Sequence, residues 1–333
     1  MGSPCAGDII SGTTKGVQGS VHRYILRKLL IMGPTVFAVV TLVFVIMHVA
    51  AGDPAAAILG EESTVEIRQA FRAKYGLDRP LWVQYISYLT DLAHGNLGVS
   101  YINNQPVLSN YLEMLPYTID LIVAAIALGL FVGIPLGTIS ALKRNSLIDY
   151  TATMFSMSII GFPVFFLGIL LLYVFAVRVD LFPVLGGGDL SDPVSRLRHL
   201  VLPALSLALV EGARVLRVTR TSMINVLSQD YIRTARAKGL RERRINYVHA
   251  LRNALIQITT FVGVQTTVLL AGSILTEIVF NRPGLGRLLV GAIHARDYPL
   301  IQSGLLIYAV LVVLVNLLVD VANCVIDPRI RYG

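Results

Sequence analysis

The chain has 333 residues, is 55% hydrophobic and only 14% charged, and has a mean hydropathy of +0.69. A water-soluble domain carries about a quarter of its residues charged, so this composition excludes a soluble enzyme or binding module. The formal charge of +8 needs no nucleic acid, because basic loops on the inner face of a membrane supply it. Two cysteines, Cys5 and Cys324, lie at opposite ends of the chain, show no metal-ligand spacing and are not expected to pair.

Residues 1–22 read as a disordered extension, rich in Gly, Ser and Thr and without periodicity. The first apolar run, Leu29–Ala50, follows Arg23, Arg27 and Lys28; at 22 residues it exceeds a signal-peptide core and reads as an uncleaved span. His48 near its outer end reads as interfacial. Residues 51–115 then form an outer helical insertion. Ser63-Thr-Val-Glu66 has the form of a capping box, opening a helix that Gly76 stops. A second helix is expected from Pro80 through Trp82, Tyr85 and Tyr88 to His94-Gly95, with re-entry into the membrane from Pro106. Such an insertion could receive a delivery protein or serve as a lid.

Five further apolar runs follow: Leu121–Leu142, Thr151–Val177, Leu200–Val210, Asn253–Thr276 and Tyr298–Ile326. Backbone polar groups cannot go unpaired in lipid, so the runs are expected as helices. Pro34, Pro135, Pro163 and Pro203 lie in or beside them and mark expected kinks. With the N-terminus inside, the inner segments hold 18 Lys and Arg against 10 in the outer ones, giving six spans with both termini cytoplasmic. Between the spans, Gly186-Gly187-Gly188 reads as a flexible connector, since Asp189 and Asp192 beside it disfavour a bound phosphate. Asn281–Gly286 reads as an outer turn by its Pro-Gly pair.

The segment 221–252 is the most distinctive. Ile224, Leu227, Tyr231 and Ala235 recur at helical spacing, while Arg233, Arg236 and Lys238 occupy the remaining surface. Gly239 ends the helix, and Ile245, Val248, Leu251 and Leu255 begin another. The layout is helix, glycine elbow, helix. A surface lying on anionic headgroups and a knob seated in a soluble partner both suit it; nucleic acid does not, for want of an aromatic platform. Glu211 with Arg214 forms a possible intramembrane ion pair (i, i+3), with Arg217 and Arg220 free to snorkel to headgroups.

The order of residues in that segment, Asp230-Tyr-Ile-Arg-Thr-Ala-Arg-Ala-Lys-Gly-Leu240 followed by His249-Ala-Leu-Arg-Asn-Ala254, resembles the ATPase-coupling loop of ABC import permeases. It is most similar to the first permease subunit of the dipeptide, oligopeptide and nickel importers. Gly52-Asp53-Pro54, Tyr75–Pro80, Gly95-Asn-Leu-Gly98 with Ser100, Gly133-Ile-Pro-Leu-Gly137, Phe280–Gly286, Arg296-Asp-Tyr-Pro299 and Asp327–Arg331 match in the same order. Arg233-Thr-Ala235 stands where the wider family has Glu-Ala-Ala, and Asn96 where Asp is common.

The resemblance implies an all-α polytopic membrane protein with the ABC type I importer permease fold over residues 23–333, in the bacterial cytoplasmic (inner) membrane. It implies a second homologous permease subunit, two cytoplasmic ATPase subunits and an extracytoplasmic solute-binding protein as partners, with membrane lipid around them. In the implied coupling loop, the helix around Asp230, Tyr231 and Gly239 seats in an ATPase groove, and Ala235 permits close approach. Gly239 sets the elbow before Leu240, and Arg233 and Lys238 meet the groove rim. The chain carries no Gly-x-x-x-x-Gly-Lys-Ser/Thr, so no cofactor is expected on it, and ATP and Mg belong to the partners. Expected cargo is a di- or oligopeptide, with glutathione, nickel or another small solute as alternatives. An ion-coupled carrier would need more acidic residues within the spans than Glu211 and Asp320, which read as span-end residues.

Overall fold

The computed structural model describes residues 33–48, 54–60, 63–189 and 191–326. The expectations for the extension 1–22, for Gly52-Asp53 and for Asp327–Arg331 fall outside the described residues, as does the side chain of Asp320. Among the described residues every regular element is helical, and one isolated antiparallel bridge joins Val99 to Pro106.

Helix α1 spans Gly33–His48 and α2 spans Pro54–Leu59. In the outer insertion, α3 covers Val65–Tyr75 and α4 covers Leu81–Ala93. Thr64, one residue after the expected Ser63, caps α3 by accepting the Ile67 N–H; the Ser63 hydroxyl instead donates to the Gly60 carbonyl and accepts from Arg68. Gly76 closes the same helix in the left-handed region at φ 67°. The insertion lies against α1, where the Thr41 and Tyr85 hydroxyls meet at 2.6 Å and Phe44 contacts the Tyr85 and Tyr88 rings. Burial pushes the Tyr88 hydroxyl up to about 12, so it stays protonated.

Helix α5 runs Val107–Leu142, beginning 14 residues before the apolar run that predicted it. Its 36 residues reach about 54 Å, well beyond the roughly 30 Å of a bilayer core. Helices α6 (Leu147–Gly161) and α7 (Val164–Leu171, continued as a π-helical stretch Leu172–Arg178) stand where the third span was expected, with its kink at Pro163. They meet at an angle of 100°. The bend falls at Phe162-Pro163, where the proline has no N–H to carry the helix ladder across.

The fourth span departs most from expectation. It is one helix, α8, over Pro193–Leu227, and the arginines that seemed to end it lie inside it. Asp192 starts it by accepting from the Val194 and Ser195 N–H groups at 2.9 and 3.2 Å, with Pro193 in the first turn. Glu211 is therefore mid-helix rather than at a span end. The inner connection reduces to α9 (Asp230–Ala237), the elbow, and α10 (Glu242–Arg244), which continues through a π-helical stretch Ile245–Leu251 into α11 (Arg252–Val279). Helix α12 (Leu285–Ala295) and α13 (Tyr298–Ile326) complete the chain. Four long apolar helices (α5, α8, Glu242–Val279 and α13) and the bent pair α6–α7 have the length and composition to cross a membrane; α1 is shorter within the described residues.

The α5–α8 seam is set by small residues. Gly129, Gly133 and Gly137 recur every fourth residue along one stripe of α5. A Cβ at Gly133 would sit 2.7 Å from the Gly212 carbonyl oxygen, and one at Gly137 2.6 Å from that of Leu216. Only glycine lets the two backbones come this close. The 186–188 triplet is likewise packed rather than flexible. A Cβ at Gly187 would meet Pro283 at 2.6 Å and the Tyr117 ring at 2.7 Å, and the Gly186 N–H donates to the Phe280 carbonyl at 2.9 Å. Beside the triplet, the Ser191 backbone N–H holds the Asp189 carboxyl below its usual range.

Candidate docking surface and charged clusters

Helix α9 is short, and its packing decides which residues it can offer. Ile232 and Ala235 are buried against Met223, Ile245, Ala250 and Ala254 of the chain's own helices. The close approach that Ala235 permits is thus to α11 and its π-helical start, and Ile232 rather than Tyr231 is its inward apolar partner. Tyr231 faces outward, with its hydroxyl accepting from the Asn253 side chain at 2.7 Å. Asp230 and Arg233 are 95% and 75% exposed and stand 3.6 Å apart. Thr234, Ala237 and Lys238 share the open surface.

The elbow is a helix-terminating turn. The Leu240 N–H donates to the Ala235 carbonyl at 3.3 Å and the Gly239 N–H to the Arg236 carbonyl at 2.9 Å. This pattern needs a left-handed residue, which Gly239 supplies at φ 76°. Leu240 turns back onto the core below, and Arg236 pairs with Glu242 across the turn at 2.8 Å. The result is a preformed, basic, outward-facing ridge rather than a tether.

Glu211 and Arg214 are adjacent but weakly joined. The arginine nitrogen stands 4.0 Å from the carboxylate, beyond hydrogen-bond distance, and Glu211 is buried against Gly129 of α5. Arg220 does not snorkel. It binds Asp149 through two nitrogens at 2.5 and 2.7 Å. Asp149 also accepts from the Ser140 hydroxyl and the Asn145 N–H. Three helix ends are joined at this one carboxylate.

A second cluster, also absent from the sequence reading, sits at the opposite end of the bundle. Glu277 accepts from the Thr118 hydroxyl at 2.6 Å and from the Gly286 and Arg287 N–H groups at 2.8 and 3.1 Å. It thereby caps the N-terminus of α12, and Gly284 leaves the room its carboxylate occupies. Arg282 in the turn is fully buried; it donates to the Tyr117 carbonyl at 3.3 Å and lies 5.4 Å from that residue's ring. Burial pulls its guanidinium below the usual value, while the Asp120 and Glu277 carboxylates act to raise it. Asp120 is shared with Arg196 of α8 at 2.6 Å. The turn read as a surface reversal is therefore partly an interior element. The available signal was a lone acidic residue closing an uncharged span, five positions before an arginine.

The matched segments of the sequence also meet. Asp297 accepts from the Ser100 hydroxyl and from the Tyr101 N–H at 3.2 Å, and the Ser303 hydroxyl donates to the Leu97 carbonyl at 3.1 Å. Gly95–Ser100 and Arg296–Pro299 thus form one joint between the insertion and α13. Among the described residues no group of three or more His, Cys, Asp or Glu side chains is placed to hold a metal ion.

Residues 133–332 match the family described as the binding-protein-dependent transport system inner membrane component, and residues 21–122 match its N-terminal counterpart. The chain is 38% identical over 335 residues to the dipeptide transport system permease protein DppB of Escherichia coli (strain K12), covering 93% of this chain and 99% of that one. It is 39% identical over 331 residues to the di/tripeptide transport system permease protein DppB of Pseudomonas aeruginosa, covering 93% and 98%. The glutathione transport system permease protein GsiC of Escherichia coli (strain K12) is 39% identical over 309 residues, covering 93% and 99%. A solved structure of the MetNI methionine ABC transporter, in an inward-facing conformation, shares the fold with a TM-score of 0.54 at 15% identity, over 65% of this chain and 95% of that one. The chain belongs to the family of binding-protein-dependent transport system inner membrane components and is a multi-pass membrane protein of that family.

Proposed function

We propose that this chain forms half of the translocation pore of an ATP-driven importer of di- and oligopeptides. In this reading a second, related permease chain supplies the other half, two cytoplasmic ATPase subunits supply the energy, and a soluble binding protein delivers peptide at the outer mouth. Six spans place both termini in the cytoplasm, and the surface of Asp230, Tyr231, Arg233 and Lys238 is the seat for an ATPase. The observation that carries the reading is the preformed α9–Gly239 ridge. It projects between two long apolar helices of a chain that has no phosphate-binding loop of its own. Binding and hydrolysis of ATP in the partners, with their Mg, would bias the bundle between two states through that ridge.

The relatives named for dipeptides and di/tripeptides favour peptide cargo, and the relatives named for glutathione favour a second cargo of the same peptide-like chemistry. Uptake of labelled di- and tripeptides tests the reading, in cells lacking the chain and in cells given it back. Restoration is expected with the unaltered protein and not with Gly239→Pro, because proline cannot adopt the φ of 76° at that elbow. Peptide uptake undiminished without the chain, together with lost glutathione uptake, would move the assignment to glutathione. Restoration by Gly239→Pro would refute the role of the elbow.

A further inference from the structure

The two helices of the outer insertion differ in charge. The 11 residues of α3 carry four charged side chains, Glu66, Arg68, Arg72 and Lys74, whereas the 13 of α4 carry one, Asp91 in the last turn. At 1.5 Å per residue α4 is about 20 Å long, too short to cross the roughly 30 Å of a bilayer core.

Its height is set by α1. Tyr85 meets Thr41 and Phe44, and Tyr88 meets Phe44. Thr41 and Phe44 lie about 10 and 6 Å below His48, the last residue of α1, at 1.5 Å per residue. Helix α4 therefore lies beside the last turns of an apolar run, not above its end. Trp82, Ile86, Leu89 and Ala93 recur at helical spacing along another stripe of α4. Trp82 and Ile86 are 67% and 54% exposed, so the described chain leaves this stripe largely open. Ser87, Thr90 and Asp91 are exposed on a third, polar side. Open apolar surface continues onto α1 at Leu42 and Val45, the residues after Thr41 and Phe44.

We propose that α4 lies in the headgroup–acyl boundary of the leaflet farther from α9, with Trp82, Ile86 and Leu89 in the acyl chains and Ser87, Thr90 and Asp91 toward water. An amphipathic helix with tryptophan on its apolar side suits that boundary. A soluble delivery protein as the occupant would leave Trp82 and Ile86 in water at each release, and would have to reach a face set below the end of α1. Lipid surrounding α1 at that height covers the stripe without a further partner. The insertion is then held by the bilayer as well as by the joint at Asp297, and the charged α3 is the part left to soluble partners.

Trp82 is the chain's one tryptophan and reports on this face. The transporter, assembled with its native partners, is placed in proteoliposomes, and the difference in fluorescence between the unaltered and Trp82→Phe forms isolates the Trp82 signal. Phosphatidylcholine brominated on its acyl chains should remove most of that signal, while iodide on both sides of the membrane should remove little. Moving the reporter round the helix tests the orientation separately. In the Trp82→Phe background, Ile86→Trp should again be quenched by the brominated lipid, and Ser87→Trp by iodide. Quenching of Trp82 by iodide as strong as by brominated lipid would overturn the proposal, because the face would then be open to water. Quenching by neither would also overturn it, in favour of a protein covering the stripe. Equal lipid quenching at Ile86→Trp and Ser87→Trp would contradict a helix lying with one side in the acyl chains.

Discussion

Asp149 takes four hydrogen bonds, from Ser140, Asn145 and two nitrogens of Arg220, at a site where it is almost fully buried. Removing one member of such a pair strands the other charge. Asp149→Ala should therefore lower stability by about 3 kcal/mol, at the low end for a broken buried pair because Arg220 keeps some access to water. Thermal unfolding of the purified protein in detergent measures the loss, and Arg220→Ala should reproduce much of it. A variant as stable as the unaltered protein would contradict the structural role. Neither partner was readable from the chain order. Asp149 lies in a short polar connection and Arg220 71 residues later, and nothing local in the sequence announces a contact at that separation. For the same reason Arg220 read as a snorkelling residue, and the Glu277–Arg282–Asp120 cluster went unread.

Elements with local signals were legible. Gly76 and Gly239 end their helices where expected, α13 keeps its predicted bounds, and Pro163 lies at the bend. Elements whose ends depend on distant partners were not. Helix α8 continues past Val210 because Arg220 finds Asp149, and it starts early because Asp192 caps it and Arg196 finds Asp120. The Gly133-Ile-Pro-Leu-Gly137 segment was legible as a match, while its use as a helix seam needed the partner helix in view. That seam gives a prediction. Gly137→Ala puts a methyl group 2.6 Å from the Leu216 carbonyl oxygen and should cost about 1–3 kcal/mol as the helices are forced apart. Gly161→Ala, with no heavy atom within 4 Å of the new Cβ, is the matched control and should leave the unfolding temperature unchanged or slightly higher. Equal effects at both positions would contradict close packing as the cause.

Across the whole molecule the two ends of the bundle are built differently. One end carries the exposed basic ridge of α9, anchored by Ile232 and Ala235 and fixed by Gly239. The other carries buried charges at Glu277, Arg282 and Asp297 that fasten the outer insertion and α12 to the long helices. That division suits a permease half, with a surface for energy input at one end and a structured mouth at the other. The family was legible from ordered motifs spread over most of the chain. Which face of α9 is free was not, because Tyr231, on one stripe with Ala235 by its spacing, turns outward while Ile232 joins Ala235 against the chain's own helices.

The most direct test of the central claim is site-specific photocrosslinking in cells that contain the native partners. A photoreactive amino acid is placed at Lys238 or Thr234 on the open face of α9 and, as a comparison, at Trp82 in the outer insertion, which is 67% exposed. The account predicts adducts with a cytoplasmic ATPase subunit from Lys238 and Thr234 and none from Trp82. Adducts from the α9 positions with lipid alone, or an ATPase adduct from Trp82, would contradict it.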